Sequence, residues 1–283
     1  MMIETAHAKL NLTLDITGKR ADGYHKIISL LHEISLSDTV EINDAEGIRV
    51  SCSPCAGLNV PQGEANICHA AVIAFRKATG IDRGASVDIK KAVPLGAGLG
   101  GGSSDAAATL RALNILWDAG LTEEELESTA VSVGADVPFF IRGGTALVKG
   151  RGDVFQRLDC FPELNFVVLY HGKGTSTGSA YSALDYGKTG KAASTERLLV
   201  SGSSPEKIAS GLHNDFMFSG STDQERTCTM MKDLIREGAL RASLTGSGSA
   251  VFGIFREKRE AERAANALAG KYCFSVSSRS CIR

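Results

Sequence analysis

The chain has 283 residues, of which 43% are hydrophobic and 22% charged, and this composition is typical of a globular protein and argues against a disordered one. Its 31 Lys and Arg residues balance 32 Asp and Glu residues, so the net charge of −1 provides no broad attraction to nucleic acid or to an anionic membrane. No apolar run approaches the roughly 20 residues of a membrane span, and the N-terminus has no signal-peptide pattern. With seven scattered cysteines, these features predict a cytoplasmic protein without nucleic-acid or membrane partners.

The first half of the chain alternates between predicted strands and helices. A strand is expected over about residues 4–17, and a second apolar run follows at 27–42. The segment 66–79 reads as a helix that stops at Gly80 and has these residues on one face: Ile67, Ala70, Ala71, Ala74 and Ala78. A strand at 85–93 then leads into a glycine cluster and a further helix. Thr122 and Glu125 have the spacing of a capping box for the next helix.

A new pattern begins after residue 153. A clear strand is expected at 164–170, helices near 205–213, 223–237 and 257–269, and further strands around a GSGS turn at 246–249. Strands and helices mix in both halves, which predicts an α+β protein of two abutting domains, 1–153 and 154–283.

The most informative segment is PLGAGLGGGSS, residues 94–104, which has five glycines between Gly96 and Gly102. Glycine allows the backbone N–H groups to converge, and the start of a helix adds a dipole that attracts anions. Ser103 and Ser104 add hydroxyl groups at the same end. A strand precedes the cluster and a helix follows it, so we interpret it as a phosphate-binding loop rather than a flexible hinge.

Two common classes of phosphate loop fit this segment poorly. A Walker loop requires a lysine that the segment lacks. A dinucleotide-binding GxGxxG pattern is present at Gly96, Gly98 and Gly101, but the acids about 20 residues later, Glu123 to Glu125, open a helix instead of ending a second strand. A nicotinamide-dependent oxidoreductase is therefore a weaker hypothesis.

The glycine loop resembles the phosphate-binding motif of the GHMP small-molecule kinases. Three further segments, AKLNL at 8–12, RADGYHKI at 20–27 and GADVPFFIRGGTAL at 134–147, resemble the member of this family that acts on a cytidine diphosphate methylerythritol. LTGSGSAVFGIF at 244–255 resembles the third, C-terminal glycine motif of the family.

The resemblance implies an N-terminal α/β domain that carries ATP and a C-terminal ferredoxin-like domain, with the active site in the cleft between them. It implies transfer of the γ-phosphoryl group of ATP to the 2-hydroxyl of the methylerythritol unit, in non-mevalonate isoprenoid biosynthesis. ATP is the implied cosubstrate, and Mg²⁺ is expected with it because its phosphates need charge neutralisation. No residue of the sequence is evident as a protein ligand for the metal ion.

The resemblance also implies roles for particular residues. Lys9 and Asp136 would be catalytic, although Asp136 before Val-Pro is equally suited to cap a helix. Asn11 lies two residues after Lys9, on the same face of a strand. The residues implied to bind the substrate are Asn11, Tyr24, His25, Thr177 and Tyr181, with Tyr24 and Tyr181 stacking on the cytosine and His25 reading its edge.

The implied ATP-binding residues are Asn66 and the whole glycine loop: Pro94, Leu95, Gly96, Ala97, Gly98, Leu99, Gly100, Gly101, Gly102, Ser103 and Ser104. Asn66 is equally suited to an ordinary helix cap. Homoserine and mevalonate kinases share the glycine loop and remain alternatives, as does a non-catalytic relative that binds a ligand. Cys52 and Cys55 have redox or metal spacing, but no second pair or nearby His group completes a site.

Overall fold

The computed structural model describes residues 1–19, 21, 23, 25–53, 60–190, 194–201, 204–220 and 223–281. The strands are β1 (Met2–Lys19), β2 (His25–Ala45), β3 (Arg49–Cys52), β4 (Gly84–Lys90), β5 (Thr145–Lys149), β6 (Val154–Arg157), β7 (Asn165–Tyr170), β8 (His213–Asn214), β9 (Arg241–Leu244), β10 (Val251–Phe255) and β11 (Phe274–Arg279). The helices are α1 (Ile67–Thr79), α2 (Gly101–Leu116), α3 (Glu123–Val131), α4 (Val137–Arg142), α5 (Thr177–Ser182), α6 (Ser194–Ser201), α7 (Pro205–Ser210), α8 (Gln224–Arg236) and α9 (Lys258–Leu268).

The chain divides into two compact units made of discontinuous segments. Unit 1 consists of Met1–Ala8, Leu36–Leu95 and Gly100–Gly143, and unit 2 of Lys9–Ser35, Gly96–Leu99 and Gly144–Arg283. The long strands β1 and β2 each contribute residues to both units. These units do not correspond to one cut at residue 153, and the domain limits 1–153 and 154–283 stay a prediction.

Unit 1 contains a small mixed sheet and a layer of helices. β4 pairs antiparallel with the second part of β2, in a register that joins Val40 to Ile89, and parallel with β3. α1 packs against α2, and α4 packs against both α2 and α3. The side chains that α2 buries include Ala106, Leu110 and Leu113.

Unit 2 contains a sheet with the order β11-β7-β10-β9, in which all three neighbouring pairs are antiparallel. In chain order these strands alternate with two helices as β7-α8-β9-β10-α9-β11, which is the ferredoxin-like arrangement. The helices α8 and α9 pack on the sheet and bury residues such as Met230, Leu234 and Leu268. The α+β, two-domain architecture predicted from the sequence is thus confirmed.

The remaining strands of unit 2 position the N-terminal segment. The first part of β2 pairs antiparallel with β5, which pairs antiparallel with β6. β1 pairs parallel with β8 through Thr13 and Leu14. Within the described ranges, no helix is both long enough and apolar enough to cross a bilayer.

Most predicted elements are present, but the structure differs from the prediction in several places. The predicted face of α1 is wrong, because Val72 and Phe75 are fully buried whereas Ala70 and Ala78 are exposed. Larger apolar side chains gain more from burial than alanine does, so they determine which face turns inward. The helix α6, at Ser194–Ser201, is not among the elements predicted from the sequence.

His32 is a buried polar residue within unit 2. It is 3% exposed, and its two ring nitrogens lie 2.8 Å from the Thr145 hydroxyl and 2.7 Å from the Ser280 hydroxyl. Burial lowers the pKa of this imidazole to about 3, so the ring is neutral in the folded protein at ordinary pH.

We predict that this burial makes the protein sensitive to acid. Between the unfolded imidazole pKa of about 6.5 and the folded value of about 3, the unfolded state binds the extra proton. The free energy of unfolding should therefore fall by about 1.4 kcal/mol for each pH unit below ~6.5 through this group alone. Urea unfolding from pH 7 to 4.5 should show a smaller pH slope in His32→Gln than in the wild type. His69→Gln, at a partly exposed position, serves as control; equal slopes for His32→Gln and the wild type would contradict the prediction.

Candidate active site

Strand β1 carries a lysine into the interior of unit 2. Lys9 is 4% exposed, and its ammonium group donates hydrogen bonds to Asn11 Oδ1 at 2.6 Å and to the carbonyl oxygen of Gly98 at 2.9 Å. A buried ammonium is strongly destabilised unless acceptors surround it. These two acceptors therefore fix its position and keep its charge beside the glycine loop.

Asn11 links three segments of unit 2 through one side chain. Its amide oxygen accepts from Lys9 and, at 2.9 Å, from the backbone N–H of Gly246, while its amide nitrogen donates to Ser29 Oγ at 2.8 Å. Its backbone N–H donates to Thr245 Oγ1 at 3.0 Å. Lys9 and Asn11 share a face of the strand, as predicted, because their side chains bond each other, and the other partners of the Asn11 amide fix its own position.

The first part of the glycine loop, Gly96–Leu99, packs against two other loops of unit 2. The Lys9 N–H donates to the Leu99 carbonyl at 3.0 Å, and the Ala250 N–H donates to the Ala97 carbonyl at 3.1 Å. Gly98 has φ +80°, and a Cβ atom there would overlap the carbonyl of Thr245. Only glycine permits this approach, so the loop and the C-terminal glycine motif are matched to each other.

The second part of the loop opens helix α2 in unit 1. Gly100 precedes the helix with φ +73°, and the Ser104 N–H makes the first hydrogen bond of the helix, to the Gly100 carbonyl. The N–H groups of Gly101, Gly102 and Ser103 therefore come before any acceptor within the helix. Converging amides at the positive end of a 16-residue helix form a binding site for an anion such as phosphate. The side chains of Ala97, Leu99 and Ser104 are buried, so the backbone provides most donors.

A buried ionic cluster lies next to this helix in unit 1. Lys91 Nζ lies 2.5 Å from Asp38 Oδ2 and 2.6 Å from Asp105 Oδ2, and all three side chains are at most 4% exposed. Asp38 Oδ1 also accepts the N–H groups of Ala92 and Val93, which lead into the loop. Burial raises the pKa of Asp105 to about 8, against the opposing charge of Lys91. This cluster anchors both ends of the strand-to-helix connection, and the sequence analysis missed it.

Asp136 lies at the N-cap position of α4, but its side chain makes no capping hydrogen bond. Pro138 provides the helix-start signal instead, since proline is favoured in the first turn. Asp136 therefore occupies the N-cap position that the alternative reading predicts, but its partly buried carboxylate forms no side-chain capping bond there.

Asn66 is an ordinary helix cap in this structure. Its side-chain oxygen accepts from the Cys68 N–H at 2.9 Å, and its nitrogen donates to the Pro61 carbonyl at 2.8 Å and to Cys52 Sγ at 3.2 Å. The capping alternative is confirmed, and a direct role with the nucleotide stays a prediction. Cys52 and five more described cysteines are free thiols; Cys55 lies outside the described residues.

An aromatic group stands at the start of β2. The imidazole of His25 stacks on Tyr181 with ring centroids 4.2 Å apart and an interplanar angle of 6°. Its Nε2 atom lies 2.5 Å from the hydroxyl oxygen of Tyr186, a residue that the sequence analysis did not single out. Tyr24, predicted to be the first stacking residue, lies outside the described residues. The structure therefore brings His25 and Tyr181 together and adds Tyr186.

Thr177 is exposed at the start of α5, and its hydroxyl lies 3.2 Å from that of Ser247 in the C-terminal glycine motif. Because the neighbouring Gly246 is bonded to Asn11, Thr177 is connected through unit 2 to the segment that holds Lys9.

One group with metal-ligating atoms is present among the described residues: Asp15, His213 and Asp215. Its carboxylate oxygens already accept hydrogen bonds within the protein, for example Asp215 Oδ2 from the N–H groups of Ile16 and Gly190 at 2.6 and 2.8 Å. These contacts indicate a structural cluster rather than a Mg²⁺ site, because Mg²⁺ requires unoccupied oxygen ligands in octahedral geometry.

The sequence matches known proteins along nearly its whole length. The model of the GHMP kinases N terminal domain matches residues 66–144, and that of the GHMP kinases C terminal domain matches 225–273. The 4-diphosphocytidyl-2-C-methyl-D-erythritol kinase of Gloeobacter violaceus is 41% identical, over 94% of this chain and 89% of its own. The enzyme of the same name from Caldanaerobacter subterraneus is 40% identical, over 95% and 93%.

The chain belongs to the 4-diphosphocytidyl-2-C-methyl-D-erythritol kinase family. A crystal structure of a 4-(cytidine 5'-diphospho)-2C-methyl-D-erythritol kinase superposes with a TM-score of 0.83 at 29% identity, covering 99% of this chain and all of the other. A homoserine kinase from Cytophaga hutchinsonii has a TM-score of 0.73 at 18% identity, covering 99% of this chain and 94% of the other, and so shares the fold. ATP is the phosphoryl donor of GHMP kinases, so the family membership establishes ATP as the cosubstrate.

We predict that two glycines of the loop differ sharply in their tolerance of alanine. Gly98→Ala should destabilise the protein by at least about 2 kcal/mol, because its φ is positive and its Cβ would overlap the Thr245 backbone. Gly102→Ala is the matched control, since its Cβ would meet only Ile67 Cγ2 at 3.7 Å. Urea unfolding of both variants measures the difference, and equal stability would show that the close approach is not required.

Proposed function

We propose that this protein transfers the γ-phosphoryl group of ATP to the 2-hydroxyl of 4-diphosphocytidyl-2-C-methyl-D-erythritol, giving the 2-phosphate and ADP in non-mevalonate isoprenoid biosynthesis. The observation that carries the proposal is the buried Lys9 ammonium, held by Asn11 Oδ1 and the Gly98 carbonyl at the glycine loop. The substrate class comes from the relatives, because the chain is 41% and 40% identical to two kinases named for this substrate.

Phosphoryl transfer needs a bound phosphate chain, an oriented hydroxyl group and positive charge near the oxygen that develops negative charge. The amides that begin α2 would bind the phosphates, and the Lys9 ammonium would stabilise the developing alkoxide. Asp136 would accept the proton of the substrate hydroxyl. This role is supported because its carboxylate makes no capping hydrogen bond to α4. Asn11 would act by holding Lys9 rather than by reaching the substrate.

The other predicted residues would bind the two substrates. His25, Tyr24 and Tyr181 would hold the cytosine, and Thr177 would contact the substrate beside the C-terminal glycine motif. Mg²⁺ enters as part of MgATP and neutralises phosphate charge during transfer. The cytoplasmic location stays a prediction from the cysteine pattern.

The proposed activity is tested by release of ADP from MgATP with a panel of acceptors. We expect turnover with 4-diphosphocytidyl-2-C-methyl-D-erythritol and none with methylerythritol phosphate, homoserine or mevalonate. Turnover with homoserine or mevalonate instead would agree with the fold and the ATP site but would contradict the proposed substrate. Absence of ADP release with every acceptor would reject kinase activity on this panel.

We predict that Asp136→Asn lowers kcat by a factor of at least ~100, the lower end of general acid–base contributions, because an amide cannot take the hydroxyl proton. Binding of the cytidine substrate, measured by calorimetry, should remain close to wild type. Asp159→Asn, at an exposed position, is the matched control for loss of one carboxylate and should retain full turnover. A kcat near wild type in Asp136→Asn would exclude Asp136 as the proton acceptor.

A further inference from the structure

The glycine loop at 94–104 contains no lysine, and the two lysines already described have other partners. Lys91 is bonded to two buried carboxylates, which balance its charge within unit 1. Lys9 is 4% exposed, is held by Asn11 and the Gly98 carbonyl, and is assigned to the acceptor oxygen in the proposed function. Neither lysine provides a solvent-exposed positive charge for a phosphate chain at this loop.

Another segment of unit 2, residues 172–177, packs directly against the first glycine of the loop. The Thr175 N–H donates to the Gly96 carbonyl at 3.2 Å. A Cβ atom on Gly174 would lie 3.1 Å from the Gly96 carbonyl oxygen, and one on Gly96 would lie 3.3 Å from the Gly174 Cα atom. The two backbones are therefore in contact, and Lys173 is the residue immediately before this contact.

The C-terminal glycine motif fixes the backbone of Lys173 in this place. Ser249 is 1% exposed, and its hydroxyl group donates a hydrogen bond to the Lys173 carbonyl. The next residue, Ala250, donates its N–H to the Ala97 carbonyl of the glycine loop at 3.1 Å. Because consecutive residues of one turn hold both Lys173 and the loop, the Cα atom of Lys173 has a defined position beside Gly96.

The side chain of Lys173 is exposed, although its backbone is bonded. Among the ion pairs that the described residues form, none includes Lys173. A lysine ammonium is a compact charge on a flexible stem, and it binds phosphate groups as a point charge. The charge of Lys173 is therefore available to an anionic ligand that enters from solvent.

The two ends of the segment 172–177 have different neighbours. Lys173 and Gly174 lie at the glycine loop, whereas the Thr177 hydroxyl lies 3.2 Å from that of Ser247 in the C-terminal glycine motif. Thr177 is assigned to the second substrate in the proposed function. Both substrates carry a diphosphate, and the position of Lys173 at the end that meets the glycine loop favours ATP as its ligand.

We propose that Lys173 is a further ATP-binding residue, whose ammonium group pairs with the phosphate chain bound by the glycine loop. The inference rests on the proposed function for the binding of ATP at that loop. A Walker loop carries such a lysine within its own sequence. In this chain a lysine comes from a segment in the second half of the sequence, and the Gly96–Gly174 contact brings it to the loop.

The test is binding of MgADP to the full chain, measured by calorimetry without turnover. Lys173→Gln removes the charge and keeps a flexible polar side chain, and MgADP affinity should fall by about fivefold, as expected for one ion pair at an exposed site. Lys173→Arg keeps the charge and should restore most of this affinity. From about 50 to 300 mM NaCl, the wild type should lose more MgADP affinity than Lys173→Gln, because salt screens the ion pair.

Three controls separate phosphate binding from a structural role, from binding of the other diphosphate and from net charge. Adenosine has no phosphate, so it should bind equally to Lys173→Gln and to the wild type. CDP affinity should also be unchanged in Lys173→Gln. Lys207→Gln removes the same charge from an exposed position on α7 and should bind MgADP as the wild type does.

An unchanged MgADP affinity in Lys173→Gln would overturn the inference, and so would a loss that Lys173→Arg does not restore. An equal loss for adenosine would also overturn it, since the role would then be structural. A loss for CDP without a loss for MgADP would reject ATP as the ligand, as would wild-type protein that does not bind MgADP. Failure of the proposed function is recognised separately, by absence of turnover of the cytidine acceptor, because the binding test needs neither acceptor nor reaction.

Discussion

The amide side chain of Asn11 is the contact on which the candidate catalytic group depends. It is 4% exposed, and it bonds Lys9 on its own strand, Ser29 on β2 and Gly246 in the C-terminal glycine motif. Because its oxygen accepts from both Lys9 and the Gly246 N–H, it aligns an ammonium group and a backbone loop at once. An aspartate of similar shape would lack the N–H donor for Ser29, and an apolar residue would leave the buried ammonium short of an acceptor.

The glycine loop meets two different demands within seven residues. Gly98 must approach the Thr245 backbone with a positive φ, whereas Gly101 and Gly102 present amides at the start of α2. The first demand is steric, and the second is electrostatic. The Lys91–Asp38–Asp105 cluster then joins the strand before the loop to the helix after it. Burying such an ion cluster costs desolvation free energy. We therefore interpret its role as fixing the loop geometry rather than as adding stability.

The sequence predicts those parts of the molecule that depend on local chemistry. The capping box at Thr122, the αL end of α1 at Gly80 and the strand β7 follow from patterns a few residues long. The loop at 94–104 can be predicted in the same way, because the positions of its glycines indicate the backbone geometry. The pairing of Asn11 with Gly246, and of Asp38 with Lys91, joins residues far apart in the chain, so no local pattern indicates it. The roles of Lys9 and Asp136 come from resemblance to the family rather than from periodicity.

Binding groups on the backbone and on side chains therefore differ in how clearly the sequence indicates them. Phosphates are bound mainly by backbone amides, and a cluster of glycines at a helix start records that need directly. Other side chains take their orientation from neighbours that distant segments bring to them, as the imidazole of His25 does from Tyr181 and Tyr186. A cluster of glycines is therefore visible in the sequence itself, whereas the partners of an imidazole become visible only when the chain is folded.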